Sequence, residues 1–299
     1  MFEEQIAEMV IKTACNFYNR KRFDTSLKEK NKILNVINNT FTDEVKAFVF
    51  CDHFPSIVDL GVYPLDDNQK ILTHNFRELI SRDSKPNDPH ALLVETPLWH
   101  ANHLNFDIKT IDFAGILALR EEGLKPKILS ANAILICPDT EELLVHVRSN
   151  KSDTYPSKIH IFGGAYMPTT QNNVAPDRGG FKSTLVREIL EETQLSITFG
   201  GKVPLLITEE LETGFIQVNF LGVCIDEEML EDLDSNWEGT IQRISFSQIN
   251  DFLADKGISI VPSGRAMILS WLALGAPGTK FRQRFGNYSA KDIFKLATA

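Results

Sequence analysis

The chain has 299 residues, is 43% hydrophobic and 24% charged, and carries a formal net charge of −9. At roughly 100–200 residues per domain this is one large domain or two ordinary ones, big enough to bury a core without a disulfide or structural-metal staple. The acidic balance makes it a poor non-specific ligand for nucleic acid or an anionic membrane, so phosphates would be met through bound cations or local basic residues.

In chain order, Phe2, Ile6, Met9, Val10, Ala14 and Phe17 recur at helical spacing and predict an N-terminal amphipathic helix. Glu3, Glu4 and Glu8 do not fit the basic start of a signal peptide. The basic cluster Arg20, Lys21, Arg22 follows, read as a solvated helix end in preference to a contact for a polyanion or a targeting address. "SLKEKNKILNVIN" is a second helix, with Ser26 and Glu29 in capping-box spacing.

Residues 41–128 are mixed. "HALLVET" and "KTIDFAGIL" read as strands, "NFRELIS" as a short helix and "SRDSKPNDP" as a turn-rich loop. His100 and His103 have the spacing of a metal pair on a helix, but their surroundings look extended and no third ligand is nearby. Cys15, Cys51, Cys137 and Cys224 form no C-x-x-C pair and fit reduced cytoplasmic thiols. The longest apolar runs, such as "AMILSWLALGA", are too short to span a membrane.

The character changes after Gly123 and Pro126, which places a boundary near residue 128: an N-terminal mixed α/β lobe over 1–128 and a second domain over 129–299. The lobe is expected to cover part of a cleft or to mediate a homodimer. The second part opens with "ANAILIC", the turn "PDTEE" and the alternating "LLVHVR", a hairpin signal. "KIHIFGGAYMP" and "GGFKSTLVREILEETQLSI" follow. In the latter, Phe181, Leu185 and Ile189 step by four and make one apolar stripe, predicting a helix over residues 181–193.

That helix gathers Glu188, Glu191 and Glu192 at i, i+3 and i+4, where like charges repel by roughly 0.2–0.5 kcal/mol per pair. Arg187 reaches Glu191 but is one cation against three carboxylates. Either this is a solvated charged face, or the carboxylates hold a hard divalent cation, which takes oxygen ligands and is commonly shared with substrate phosphates.

The order of parts resembles the Nudix hydrolase family, whose box reads G-x5-E-x7-R-E-U-x-E-E-x-G-U with U a bulky aliphatic residue. Arg187, Glu188, Ile189, Glu191, Glu192 and Leu195 match its second half in register, and Gly164, preceded by Gly163 and "IHIF", matches its opening glycine. "NWEGTIQRISFSQINDFLADKG" resembles the family's late strand and helix, so the resemblance covers residues 129 to about 275. Three departures stand out. Twenty-two residues separate Gly164 from Arg187 where the pattern has thirteen, and the nine extra fall in "MPTTQNNVAPDRGG". The isolated box glutamate falls at Gly179, with Asp177 the nearest acid. The final box glycine is Gln194, and a non-glycine in a left-handed helix end costs ~1–2 kcal/mol, which suggests a helix end built differently here.

The resemblance implies an α/β fold of the α-β-α sandwich type around a mixed sheet, with the N-terminal lobe added. It implies hydrolysis of a nucleoside diphosphate linked to another group. Glu188, Glu191 and Glu192 would hold Mg²⁺ or Mn²⁺, and Gly163 and Gly164 would form the strand end beside the bound group. Arg187 would orient the glutamates, and Glu188 or Glu238 would act as base, with Glu209, Glu210 and Glu212 competing for that role. A proline fifteen residues past the box, the mark of ADP-ribose preference, is absent: Glu209 stands there. The substrate class stays a small nucleotide or organic pyrophosphate. The rival reading is a Nudix-fold nucleotide-binding or regulatory protein with weak or no catalysis.

Overall fold

The computed structural model describes residues 26–83, 86–97, 99, 104–152, 154–168, 177–198, 203–233, 238–255 and 257–279. The amphipathic stretch from Phe2 to Phe17, the Arg20–Arg22 cluster, the His100/His103 pair and Cys15 lie outside them, as do residues 169–176 of the expected insertion.

The first described helix, α1 (Leu27–Thr40), starts where its sequence says: the Ser26 side chain accepts from the Glu29 amide, and the Glu29 side chain returns to Ser26. Then come β1 (Val45–Cys51), β2 (Ser56–Val62), α2 (Asp67–Arg82), β3 (Pro89–Leu93), β4 (Asn105–Asp112) and α3 (Phe113–Glu121). Two expectations are corrected here. The short helix "NFRELIS" is the second half of the 16-residue α2, whose start is set by a capping box between Asp66 and Gln69. "KTIDFAGIL" is strand only as far as Asp112. There the Asp112 side chain accepts from the Gly115 amide and caps α3, and a buried apolar run reads alike as strand or helix until the cap is recognised.

The second part contains β5 (Ile128–Cys137), β6 (Glu142–Arg148), β7 (Ile159–His160), β8 (Phe162–Ala165), α4 (Phe181–Thr193), β9 (Leu205–Glu210), β10 (Phe215–Cys224), β11 (Gly239–Ser245), α5 (Ile249–Ala254) and α6 (Pro262–Ala273). The β5–β6 hairpin forms as expected, with Leu135 opposite Leu144 and Cys137 opposite Glu142.

The eleven strands among the described residues belong to one mixed sheet, ordered β1-β9-β10-β5-β3-β4-β2, with β6 and β8 on β5 and with β7 and β11 on β6. β10 runs parallel to β5 and β2 parallel to β4. β5 is buried along its whole length, as a central strand covered on both faces must be, and its sequence is correspondingly a near-continuous apolar run. Its side chains alternate between two cores. Ile134 and Ile136 face the layer of α1 and α6, with Ile33, Ile37, Met267 and Trp271. Ala131, Ala133 and Leu135 face α4, with Phe181, Leu185 and Ile189. The result is an α-β-α sandwich. Phe181, Leu185 and Ile189 are 0–2% exposed, and each such side chain adds ~1.5–3 kcal/mol by burial.

The segment before residue 128 is built onto the same sheet: β1 pairs with β9 through Val45 opposite Glu210 to Cys51 opposite Leu205, and Leu92 of β3 lies opposite Ile128. No helix among the described residues is long and apolar enough to cross a membrane.

Candidate active site

The site forms where α4 meets β8. β8 is hydrogen-bonded to β5, with Gly163 opposite Asn132 and Gly164 opposite Ala131. Both glycines are there for space. Gly163 has φ +137, and a Cβ on it would lie 2.1 Å from the Ala131 carbonyl oxygen. A Cβ on Gly164 would lie 2.3 Å from the Glu188 carboxylate. Backbone takes the room a side chain would fill, so the glutamate packs directly on the strand.

Arg187 is the hub. Its Nε donates to Asp177 Oδ1 and its Nη2 to Asp177 Oδ2, both at 3.1 Å. Nη2 also donates to the Ala165 carbonyl (2.9 Å), and Nη1 to Glu188 Oε1 (2.8 Å) and Glu191 Oε2 (3.2 Å). Burial opposes the charge on this guanidinium, yet the Asp177 hydrogen bonds and the charges of Glu188, Asp177 and Glu191 more than offset it and raise its pKa. Asp177 has 0% exposure and also accepts the Met167 amide at 2.6 Å. It thereby ties the Met167 backbone to the guanidinium. Gly179, where the family pattern has a glutamate, lies against Ser183: a Cβ would sit 2.1 Å from Ser183 Oγ, which would have to turn away.

The three glutamates differ in environment. Glu191 is half exposed (54%). Glu188 is tucked under Gly164, and burial, together with Glu192 and Glu191, pushes its carboxyl up to about 8 against the pull of Arg187. Glu192 is buried; its Oε2 accepts the Gly163 amide at 3.0 Å and its Oε1 lies 3.2 Å from His146 Nδ1. Glu238, just before β11, belongs to the same neighbourhood: burial raises its pKa first, and the Glu192 and Glu191 charges add to that. The rival acids are engaged elsewhere. Glu209 pairs with Lys127 at 3.3 Å, Glu210 accepts Ser263 and Thr213 hydroxyls, both at 2.6 Å, and Glu212 is hydrogen-bonded to Tyr155.

The helix end corrects an expectation. Gln194 adopts the left-handed conformation, φ 63 and ψ 8, and its amide bonds the Leu190 carbonyl. The helix therefore ends as a glycine would end it. The Thr193 hydroxyl, donating to the Ile189 carbonyl and accepting the Leu195 amide, braces the turn.

Two residues of the neighbourhood escape the motif. Asp177 is noticeable in sequence only as the nearest acid to Gly179. His146 is visible only as the polar interruption of "LLVHVR". Among the described residues no group of three or more His, Cys, Asp or Glu side chains is already drawn together around an ion position.

No family model matches the chain, and no curated protein does. Solved structures do. A bifunctional NMN adenylyltransferase/ADP ribose pyrophosphatase from Francisella tularensis is similar at 14% identity and a TM-score of 0.40, over 52% of this chain and 45% of that one. A Nudix hydrolase from Alicyclobacillus acidocaldarius is similar at 14% identity and a TM-score of 0.37, over 54% and 96%. The Nudix domain of Shewanella oneidensis NrtR, complexed with ADP ribose, is similar at 12% identity and a TM-score of 0.33, over 52% and 92%. The chain thus spans about half the length of the first of these, and the likeness covers about half of this chain.

Proposed function

We propose that this protein is a metal-dependent hydrolase of the Nudix type that cleaves the pyrophosphate bond of a nucleoside diphosphate linked to another group. The observation that carries this reading is the packing of three glutamates and one arginine of α4 against a strand whose two glycines leave room for a carboxylate. Asp177, Glu188 and Glu191 share the single guanidinium of Arg187, and Glu192 beside them meets the Gly163 amide and the His146 ring, so the cluster is short of positive charge. Oxygen donors in negative excess suit Mg²⁺ or Mn²⁺, with Glu188, Glu191 and Glu192 as the ligands. A bound ion of this kind supplies Lewis-acid polarisation of a phosphoryl oxygen.

The chain's own groups do the rest. Arg187, fixed by Asp177 and the Ala165 carbonyl, holds Glu188 and Glu191 in orientation. The Gly163 amide fixes Glu192. Glu188 or Glu238, both shifted upward by burial, takes the proton of the attacking water. The substrate is a small nucleotide or organic pyrophosphate, in a cytoplasmic setting. Residues 1–128 form a lobe that shields the cleft or joins two copies.

The test uses metal-stripped full-length protein on a panel of nucleotide sugars, dinucleotides and other organic pyrophosphates, with and without Mg²⁺ or Mn²⁺. Cleavage at the pyrophosphate bond is expected only with metal, with kcat falling by roughly 10²-fold or more in Glu188→Gln. Nucleotide binding without turnover of any compound under either metal would replace the hydrolase with a binding or regulatory module.

A further inference from the structure

Building on the proposed hydrolase site, we propose that His146 supplies a nitrogen ligand to its cation, so that the site favours a nitrogen-accepting first-row ion such as Co²⁺ or Zn²⁺ over Mg²⁺. The starting observation is an imidazole that its surroundings do not otherwise explain. His146 is 2% exposed, inside an apolar strand, with its ring stacked at 5.9 Å on Phe162. Neither ring nitrogen makes a hydrogen bond. A buried polar atom without a partner is costly to keep, and one in a native structure calls for an ion, water or functional role.

Nδ1 is not far from a partner. It lies 3.2 Å from Glu192 Oε1, but without the angle of a hydrogen bond. Two cis ligands, each at ~2.1 Å from one octahedral ion, stand about 3.0 Å apart. The observed separation fits a nitrogen and an oxygen turned toward a common point. Glu192 cannot easily turn away, because its Oε2 is held by the Gly163 amide. The opposite side of the ring is kept clear by Gly239, where a Cβ would lie 2.5 Å from Nε2. The acidic helix face supplies oxygen donors only; His146 adds the one donor that changes which ion is preferred. Carboxylates and water suit Mg²⁺, whereas imidazole suits later first-row ions, whose affinities rise from Mn²⁺ through Co²⁺.

The experiment uses tag-free, metal-stripped full-length protein. Binding of Mg²⁺, Mn²⁺ and Co²⁺ is followed by calorimetry and by melting temperature. The Mn²⁺ complex is examined by pulsed electron paramagnetic resonance, in unlabelled protein and in protein carrying ¹⁵N-histidine. A histidine-dependent nitrogen coupling is expected in the parent protein and absent in His146→Gln. The Co²⁺-to-Mg²⁺ affinity ratio is expected to fall at least tenfold in that variant. Bound Mn²⁺ with no histidine nitrogen coupling in the parent overturns this inference alone and leaves the hydrolase intact. The parent spectrum decides that point even if His146→Gln misfolds. No binding of any of the three ions overturns both.

Discussion

Asp177 and Arg187 face each other through two parallel hydrogen bonds of 3.1 Å, and the carboxylate is completely buried. The pair joins the turn that precedes the helix to the face that carries the glutamates. Such two-point pairs fix orientation as well as charge. Removing one partner of a buried pair costs ~3–5 kcal/mol. Asp177→Ala should lie near the lower end, because Arg187 keeps Ala165, Glu188 and Glu191. Urea unfolding measures the loss. A stability within ~0.5 kcal/mol of the parent would show that the pair holds nothing.

Gly164→Ala tests the space reserved for Glu188. The added Cβ would fall 2.3 Å from the carboxylate, which Arg187 holds in place. Displacing a reacting group by about 1 Å costs roughly 10²-fold in rate. Pyrophosphate hydrolysis should drop by that order, while circular dichroism still reports the parent fold. Unchanged turnover would remove Glu188 from the reaction.

Gln194→Gly should stabilise the protein. Relief of the left-handed strain returns ~1–2 kcal/mol, and the extra freedom of the unfolded chain takes back ~0.4–1 kcal/mol. A net gain of ~0.5–1 kcal/mol in denaturant midpoints is expected, with hydrolysis unaffected. A loss would mean that the Gln194 side chain makes a contact worth more than the strain.

His90 on β3 links stability to pH. Burial first, then the Arg187 and Arg120 charges, lower its pKa to about 4, against the pull of Asp112. Its Nδ1 is buried without a partner, and its ring meets Phe113 edge-on. The folded value lies below the unfolded one, so the unfolded chain takes up the proton first as pH falls. Stability is therefore fully present above ~6.5 and is lost between ~6.5 and ~4, by at most ~1.4 kcal/mol per pH unit. His90→Leu should flatten that part of the stability curve. An unaltered slope would assign it to other groups.

The proposed division at residue 128 has its own consequence. A fragment of residues 129–299 lacks β1 beside β9 and the α1 residues Ile33 and Ile37 over the core. It presents an open, apolar sheet edge, which invites aggregation. Light scattering should show the fragment associating where the full chain does not. A monodisperse, active fragment would make the first 128 residues dispensable for folding.

Local patterns in the sequence carried far. The stripe Phe181, Leu185, Ile189 predicted α4 with its bounds, Ser26 and Glu29 predicted the start of α1, and the alternation after Ala131 predicted the β5–β6 hairpin. Helix period, cap spacing and hairpin turns involve neighbours within a few residues, so the amino acids alone determine them. The i, i+3, i+4 spacing likewise puts Glu188, Glu191 and Glu192 on one face. What the tertiary structure decided involves partners distant along the chain. Val45 meets Glu210 only because β1 adds to the edge of the sheet, and Glu192 meets His146 only because β6 and β8 both pair with β5. The apolar run after Asp112 coils instead of extending because a cap and a buried surface are present together. Gln194 is left-handed, with its amide bonded back to the Leu190 carbonyl, at a cost that local preference alone would avoid. Pairing and burial are properties of the assembled sheet, which no short window of sequence contains.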